Sequence, residues 1–270
     1  MTAAAFIRRA ALALLLSAGC TALLAQPQTA PSTYEPTVGQ EGKDVIWVPT
    51  PQALVDKMLD MAKVTASDYV IDLGSGDGRT VITAAKRGAR AHGIEYNADM
   101  VELSKRAADR EGVAGKATFA RADLFKSDFS EATVITMFLL PGINLQLRPK
   151  LLGLKPGTRV VSNSFTMGEW TADETATLKE NEGCSSWCAA HLWIVPARVN
   201  GSWKLAQGEL MLKQEFQMLS GTLRTGGKSV PVQNGRVRGD EIVFSADGVE
   251  YKGKVNGSRI DGGNWSATKN

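Results

Sequence analysis

Hydrophobic and polar positions follow two different patterns along this chain, and the change falls near residue 200. From about residue 44 to 200, short apolar runs alternate with segments of helical period. After about residue 208, short alternating segments are separated by Gly-Gly, Asn-Gly and Asp-Gly pairs, which are typical of hairpin turns. The pattern predicts an α/β domain over 44–200 and a small all-β meander over 208–270.

The first pattern predicts a doubly wound, Rossmann-like sheet of seven strands. The expected parallel strands are 70–73, 91–95, 117–121, 133–140 and 159–164. The expected helices are one that follows Thr50 as N-cap and Pro51, then 80–87, 98–110 and 144–152. The strict alternation ends after the fifth strand, and residues 175–179 and 191–195 predict an antiparallel pair at the sheet edge.

The N-terminus has the pattern of a signal peptide over residues 1–25. Arg8 and Arg9 precede a short apolar core, and small residues follow it. Two processing sites stay open: cleavage after Ala25, or a lipobox-like Ser-Ala-Gly-Cys that would make Cys20 a lipidated N-terminus. Residues 26–43 are rich in Pro, Thr, Ser and Gln and predict a flexible tether. We therefore expect an exported protein, periplasmic or secreted, that meets membrane only through the signal or that lipid.

Composition narrows the classes of ligand. The net charge of +3 over 270 residues does not indicate a nucleic-acid partner, which calls for a concentrated basic face. The chain has two histidines, His92 and His191, at no ligand-like spacing, so no metal site is expected. After export, the spacing of Cys184 and Cys188 favours a disulfide that closes a tight loop, with two free buried thiols as the alternative.

The clearest candidate for a ligand-binding motif lies where the first predicted strand ends, in Asp72-Leu73-Gly74-Ser75-Gly76-Asp77-Gly78-Arg79. Dinucleotide sites use Gly-x-Gly-x-x-Gly, whereas the third glycine here comes one position early. Asp72 would face a pyrophosphate unfavourably and a cationic ligand favourably. S-adenosylmethionine (SAM) carries an ammonium and a sulfonium but no phosphate. The motif therefore favours SAM over NAD, and the Tyr/Lys or His arrangement of an NAD-linked oxidoreductase is also missing.

On these residues the sequence resembles class I SAM-dependent methyltransferases. The turn matches the first motif of that family, Glu95 ends the second strand at the place of its ribose-binding acid, and Asp123 holds the place of the acid that meets the adenine amine. The resemblance implies SAM as cofactor, and its site would comprise Asp72, Gly74, Ser75, Gly76, Gly78, Glu95, Asp123 and Leu124.

A narrower resemblance over residues 45–198 is to bacterial relatives of the mitochondrial protein-lysine methyltransferases. It is carried by Val48-Pro49-Thr50-Pro51, Asp123-Leu124-Phe125 and Phe138-Leu139-Leu140-Pro141. It implies N-methylation of protein lysine, while a small-molecule acceptor stays open. Because SAM is made in the cytosol, an exported binding or scaffold protein that keeps the fold is the alternative from another class. The all-β segment lies outside the resemblance to the mitochondrial members.

The acceptor side is less defined by the sequence. Trp47, Pro49 and Thr50 are candidates for a lid over the methionine end and the acceptor, and their other interpretation is a hydrophobic staple with a helix cap. Glu169 and Trp170 are further candidates for the acceptor wall. A dry pocket lowers the pKa of a lysine, so no catalytic base is assigned. The Asn/Asp-Pro-Pro-aromatic motif of amino-group methylases of DNA and some proteins is absent after the fourth strand, which disfavours methylation of nucleic-acid bases.

Overall fold

The computed structural model describes residues 34–270. The predicted signal peptide, Cys20 and the first part of the predicted tether lie outside the described residues. Within residues 34–270, no helix has the length and apolar character needed to cross a bilayer.

The first sheet has seven strands, as predicted. They are β1 (Tyr69–Leu73), β2 (Arg90–Glu95), β3 (Ala117–Arg121), β4 (Val134–Met137), β5 (Arg159–Asn163), β6 (Glu174–Thr177) and β7 (Ala189–Ile194). Their order is β3-β2-β1-β4-β5-β7-β6, and β7 runs antiparallel to both of its neighbours. The strand order reverses between β1 and β4, and such a switch point is where doubly wound sheets bind ligands.

Helices cover both faces of this sheet. They are α1 (Gln52–Met61), α2 (Arg79–Lys86), α3 (Ala98–Arg110) and α4 (Pro141–Leu151). One apolar core joins α1, α2 and α3 to the sheet through residues such as Leu54 and Val81, and a second core joins α4 through Leu147. Alternate residues of β1 serve the two cores, since Val70 belongs to the first and Ile71 to the second.

Two predicted boundaries near the sheet differ from the structure. Pro51, not Thr50, is the N-cap of α1, and no side chain caps that helix. The Thr50 hydroxyl instead accepts a hydrogen bond from Asn163 Nδ2 at 3.2 Å, so it is committed to the end of β5. The fourth strand stops at Met137, and α4 already begins at Pro141, since a proline is favourable at the first helical position.

The all-β part is a closed barrel. Its strands are β8 (Gly201–Leu205), β9 (Gly208–Glu215), β10 (Met218–Thr225), β11 (Lys228–Pro231), β12 (Gln233–Arg238), β13 (Glu241–Ala246), β14 (Val249–Asn256), β15 (Arg259–Asp261) and β16 (Ser266–Lys269). Closure follows because β9 pairs with both β8 and β10. The alternating pattern of the sequence predicts one strand over 214–224, but a turn in which Phe216 has φ of +50° divides this segment between β9 and β10. No glycine lies in this turn, so the pattern did not mark it, and the pattern also missed β8, which precedes the predicted start of the meander at residue 208.

The barrel docks on the first sheet through a mixed polar and aromatic junction. Arg236 lies 2.5 Å from Asp173, whose side chain is 1% exposed. Trp170 is fully buried and stacks on Phe216, with ring centroids 6.3 Å apart. Trp170 therefore belongs to this junction and does not form the acceptor wall, contrary to the sequence expectation.

Candidate active site

The glycine turn between β1 and α2 has a backbone that other residues cannot adopt without strain. Gly74, Gly76 and Gly78 have φ of +77°, +53° and +81°. A Cβ atom at Gly76 would lie 2.7 Å from the indole nitrogen of Trp47, and one at Gly78 would lie 2.8 Å from Phe119. The alternate spacing of the glycines therefore reflects both backbone conformation and close approach.

The predicted cofactor residues converge on one pocket at the carboxyl ends of the parallel strands. Its volume is about 210 Å³, and the predicted residues on its wall are Asp72, Gly74, Ser75, Gly76, Glu95, Asp123 and Leu124. Gly78 is the exception, because it packs behind the turn against Phe119 and Ser104. The order of the strands places Asp123 at one end of the pocket, Glu95 next to it and Asp72 in the middle.

Asp72 is the least solvated acid of the site. It is 6% exposed and accepts a 2.6 Å hydrogen bond from the Thr136 hydroxyl. Burial raises the pKa of the Asp72 carboxyl to about 7, and the charges of Glu95 and Asp77 add to the rise, against the effect of the Thr136 hydrogen bond. A buried carboxylate without a cation is costly, so the site is suited to a ligand with a positive charge.

Glu95 is oriented by the main chain on both sides. Its Oε2 accepts from the Gly76 N–H and its Oε1 from the Asn97 N–H, each at 2.9 Å. The carboxylate thus ties the glycine turn to the start of α3 and keeps further lone pairs for a ligand. The Ser75 hydroxyl packs against Gly93 and has no hydrogen-bond partner in the described part of the chain.

A segment that the sequence assigned to the tether up to residue 43 and to the α/β domain from residue 44 lines the pocket. Residues 39–47, here called the strap, form a small hairpin in which the Trp47 N–H donates to the Gln40 carbonyl at 2.9 Å. Lys43 reaches Asp123 with 3.1 Å between Nζ and Oδ2 and lies 5.1 Å from the ring centre of Tyr96. The described end of the expected tether, 34–43, is therefore ordered. It is ordered by backbone hydrogen bonds and by the pairing of Lys43 with Asp123. Neither contact requires a periodic pattern of apolar residues, so the sequence did not predict this order.

The strap and its neighbours change the electrostatics at the Asp123 end. A backbone hydrogen bond from Phe125, together with the Lys43 ammonium, lowers the pKa of the Asp123 carboxyl. The same pairing raises the pKa of Lys43. Asp123 is thus a charged hydrogen-bond acceptor that is already paired with the Lys43 ammonium. The resemblance places the adenine amine of the cofactor at the same carboxylate.

The predicted lid residues Trp47, Pro49 and Thr50 also line the pocket. The Thr50 carbonyl accepts from the Arg79 guanidinium at 2.9 Å, so this segment is fixed between the glycine turn and β5. Glu169, the other candidate for the acceptor wall, is exposed and pairs with Arg148 at 2.6 Å, outside the pocket lining.

Sequence reasoning missed four aromatic residues of the pocket, Tyr96, Phe138, Phe165 and Trp187. Two of them follow the carboxyl ends of β4 and β5, and this position, where α/β sheets bind ligands, could have identified them. Trp187 lies in the loop between β6 and β7, where Cys184 and Cys188 form a disulfide with 5.7 Å between their Cα atoms.

The three acidic side chains and the glycine turn fit SAM. Asp72 suits its ammonium, Glu95 suits the ribose hydroxyls and Asp123 suits the adenine amine. The glycine backbone lets the cofactor approach closely where a Cβ atom would collide with Trp47. A pyrophosphate would meet the charge of Asp72 instead, which argues against a dinucleotide.

Comparison with known proteins identifies the family. Residues 72–174 match the model of the ANTKMT methyltransferase domain. A protein-lysine N-methyltransferase from Saccharolobus islandicus is 45% identical over 139 residues, which are 50% of this chain and 86% of that protein. The chain belongs to the ANTKMT family of SAM-dependent methyltransferases. The resemblance and the cofactor predicted from the sequence are thereby confirmed.

Two further matches are a relative of which a smaller share is covered and a solved structure whose name gives another class of substrate. A human lysine N-methyltransferase, named for its action on an ATP synthase protein, is 39% identical over 128 residues, or 47% of this chain, and the match spans 54% of that protein. An RNA methyltransferase from Salinibacter ruber, solved with S-adenosyl-L-homocysteine, is 46% identical with a TM-score of 0.52, and covers 56% of this chain and 96% of that one. The barrel of this methyltransferase lies outside the 72–174 match.

Proposed function

We propose that this enzyme transfers methyl groups from SAM to lysine side chains of proteins. The similarity to the Saccharolobus islandicus protein-lysine N-methyltransferase carries the proposal, because it extends over 86% of that relative. The human relative is also a lysine N-methyltransferase, and by its name it acts on a protein of ATP synthase. The narrower sequence resemblance over residues 45–198 points to the same acceptor.

The charges around the pocket support a cationic acceptor. The lining contains six acidic and two basic side chains. Both basic side chains are paired, since Lys43 lies beside Asp123 and Arg79 lies 2.6 Å from Asp77. An excess of negative charge attracts an ammonium group and repels the phosphates of RNA. Protein lysine is therefore favoured over RNA, the substrate class in the name of the Salinibacter ruber neighbour.

SAM supplies an electrophilic methyl group, and the protein has to align a neutral amine with it. Asp72 would hold the ammonium of the cofactor beside the glycine turn. Pro49 and Thr50 line the pocket, and Asn163 holds the Thr50 hydroxyl at the end of β5. A lysine that leaves water for this pocket has a lower pKa, so it can release its proton to bulk water as it enters, without a dedicated base.

A labelling experiment tests the acceptor. The full chain is incubated with methyl-tritiated SAM and either extracted protein or extracted RNA from cells that lack it. We expect label in protein, recovered as methyl-lysine after acid hydrolysis, and much less label with Asp72→Asn at a SAM concentration near the wild-type dissociation constant. Label in RNA alone would refute the proposal. SAM binding by calorimetry without any transfer would instead favour a binding or scaffold role, and transfer to small molecules in a protein-free extract would favour the remaining alternative.

We also infer that the protein is exported. The inference rests on the charged and apolar pattern of residues 8–16 and on the Cys184–Cys188 disulfide, since such bonds persist in oxidising compartments. Cell fractionation and the mass of the mature N-terminus test it, and the mass separates cleavage after Ala25 from a lipidated Cys20. An intact chain with reduced thiols in the cytosolic fraction would contradict export.

A further inference from the structure

Three of the aromatic side chains that the sequence analysis missed form one cluster, here called the aromatic trio: Phe138, Phe165 and Trp187. The ring centroids of Phe165 and Trp187 are 5.3 Å apart, and Phe138 lies 6.1 Å from each of them. All three line the pocket that contains Asp72 and Thr50.

The sheet topology puts the trio on the side opposite to the adenine end. Asp123 follows β3, Asp72 lies on β1, Phe138 follows β4 and Phe165 follows β5, in the spatial order β3-β2-β1-β4-β5. Four strand spacings separate β3 from β5, which amounts to about 19 Å. The cofactor residues occupy β3 to β1, so the aromatic trio borders the part of the pocket left for the acceptor.

Core packing does not explain Trp187. Its side chain is 48% exposed, although a tryptophan is usually well buried. Its backbone has φ of +55°, a conformation that costs free energy for a bulky residue and persists only where the surroundings impose it. The disulfide between Cys184 and Cys188 imposes it, because it closes the short loop on both sides of Trp187.

Hydrogen bonds fix the backbone at and beside Phe165. The fully buried Asn144 donates to the carbonyls of Phe165 and Thr166, both at 3.2 Å. The preceding Ser164 also has positive φ, +58°, and its N–H donates to the Ala189 carbonyl at 2.7 Å. Two unusual backbone conformations, at residues 164 and 187, therefore present two rings to the same space.

We propose that the aromatic trio is the channel through which the acceptor lysine reaches the methyl group, and that the Cys184–Cys188 disulfide positions Trp187 in it. The proposal rests on the proposed function. Aromatic faces pack on the methylene stem of a lysine and attract its ammonium as it arrives. The loop also carries two exposed acids, Glu180 and Glu182, which favour the same charge. Trp187 is a specificity-determining residue, and the disulfide acts through it.

The test uses n-butylammonium, a mimic of the lysine side chain, titrated by calorimetry into the full oxidised chain saturated with S-adenosylhomocysteine. We expect binding by the wild type and a loss of about tenfold in affinity for Trp187→Ala, equivalent to about 1.4 kcal/mol. Trp187→Phe should keep most of the affinity. The double variant Cys184→Ser, Cys188→Ser should behave like Trp187→Ala, whereas Ser185→Ala, in the same loop, should match the wild type.

S-adenosylhomocysteine affinity and the thermal unfolding midpoint of each variant show whether the fold and the cofactor site are intact. Equal butylammonium affinity in Trp187→Ala and wild type would overturn the channel, as would no binding by the wild type. Equal affinity in the double serine variant would overturn the role of the disulfide. Butylammonium binding that depends on Trp187, together with no methyl-lysine in the labelling experiment, would refute the proposed function and leave the channel standing.

Discussion

Replacement of Asp72 by asparagine is expected to stabilise the fold and to weaken SAM binding. The Asp72 carboxyl is buried and has a pKa of about 7, raised by burial and by the nearby charges of Glu95 and Asp77. Asparagine has nearly the same shape, and its Oδ1 can still accept the hydrogen bond from Thr136. The substitution therefore removes the charge with little change in packing.

The magnitude follows from the gap between the native pKa of about 7 and the ordinary value of 3.8. Between these two values the native state holds more protons than the unfolded state, so stability falls as pH rises through this window. Above about pH 7 the full cost is present, about 4 kcal/mol at 1.36 kcal/mol per pH unit. The stability advantage of Asp72→Asn over wild type should thus grow by about 4 kcal/mol from about pH 4 to about pH 8.

Cofactor affinity should change in the opposite sense. The cofactor ammonium needs the ionised carboxylate, so wild-type affinity should rise with pH until about 7, by at most about tenfold per pH unit. It should fall again above about pH 8, where an α-amino group loses its proton. Asp72→Asn should lose the rising limb and bind SAM at least about tenfold more weakly at neutral pH.

Urea unfolding at several pH values measures the first effect and calorimetry with SAM the second. Asp68→Asn is the control with the opposite sign. Burial alone would raise the pKa of Asp68, but hydrogen bonds from Thr133 and Thr65 and the Arg159 guanidinium outweigh it and lower that pKa. Asp68→Asn should therefore lose stability, and lose most above the ordinary pKa. A pH-independent difference between Asp72→Asn and wild type would refute the reasoning.

Three further changes test other contacts. Lys43→Ala should raise SAM affinity several-fold in calorimetry, because it frees the carboxylate that Lys43 now occupies; lower affinity would mean that the strap closes on the cofactor through this lysine. Gly76→Ala should abolish measurable SAM binding, because the new Cβ atom would lie 2.7 Å from Trp47 and the backbone φ of +53° is strained for alanine. Retained affinity would show that the cofactor site does not require glycine at this position. Arg236→Ala should lower the free energy of unfolding in urea by about 1–2 kcal/mol, since it leaves Asp173 buried without its cation; an unchanged midpoint would argue against the docking pair.

The sequence predicted the parts of the molecule that depend on local pattern. The central parallel strands β1, β4 and β5 are buried on both faces and read as apolar runs, and the acids at the ends of β1, β2 and β3 marked the cofactor pocket. The spacing of Cys184 and Cys188 similarly indicated their bond. These features need only neighbouring residues to be recognised.

The features that the sequence did not predict depend on contacts between residues far apart along the chain. The strap is ordered by Lys43 reaching Asp123, 80 positions away, which no local period reveals. Trp170 follows the fifth strand in the sequence, as an acceptor residue would, but Phe216 in the turn between β9 and β10 stacks on it. Thr50 precedes a helix like a cap, yet its hydroxyl is taken by Asn163 of β5.

Closure of the barrel has a consequence for how copies of the protein meet. A closed sheet has no end strands, so β11, which pairs only with β10, is the edge that the barrel exposes within residues 34–270. It is four residues long, starts at Lys228 and ends at Pro231, which has no N–H to donate. In the first sheet the end strands are also short, with four residues in β6 and five in β3. Short, charged or proline-terminated edges are poor templates for strand pairing between chains, so the folded protein is protected against edge-to-edge aggregation at high concentration.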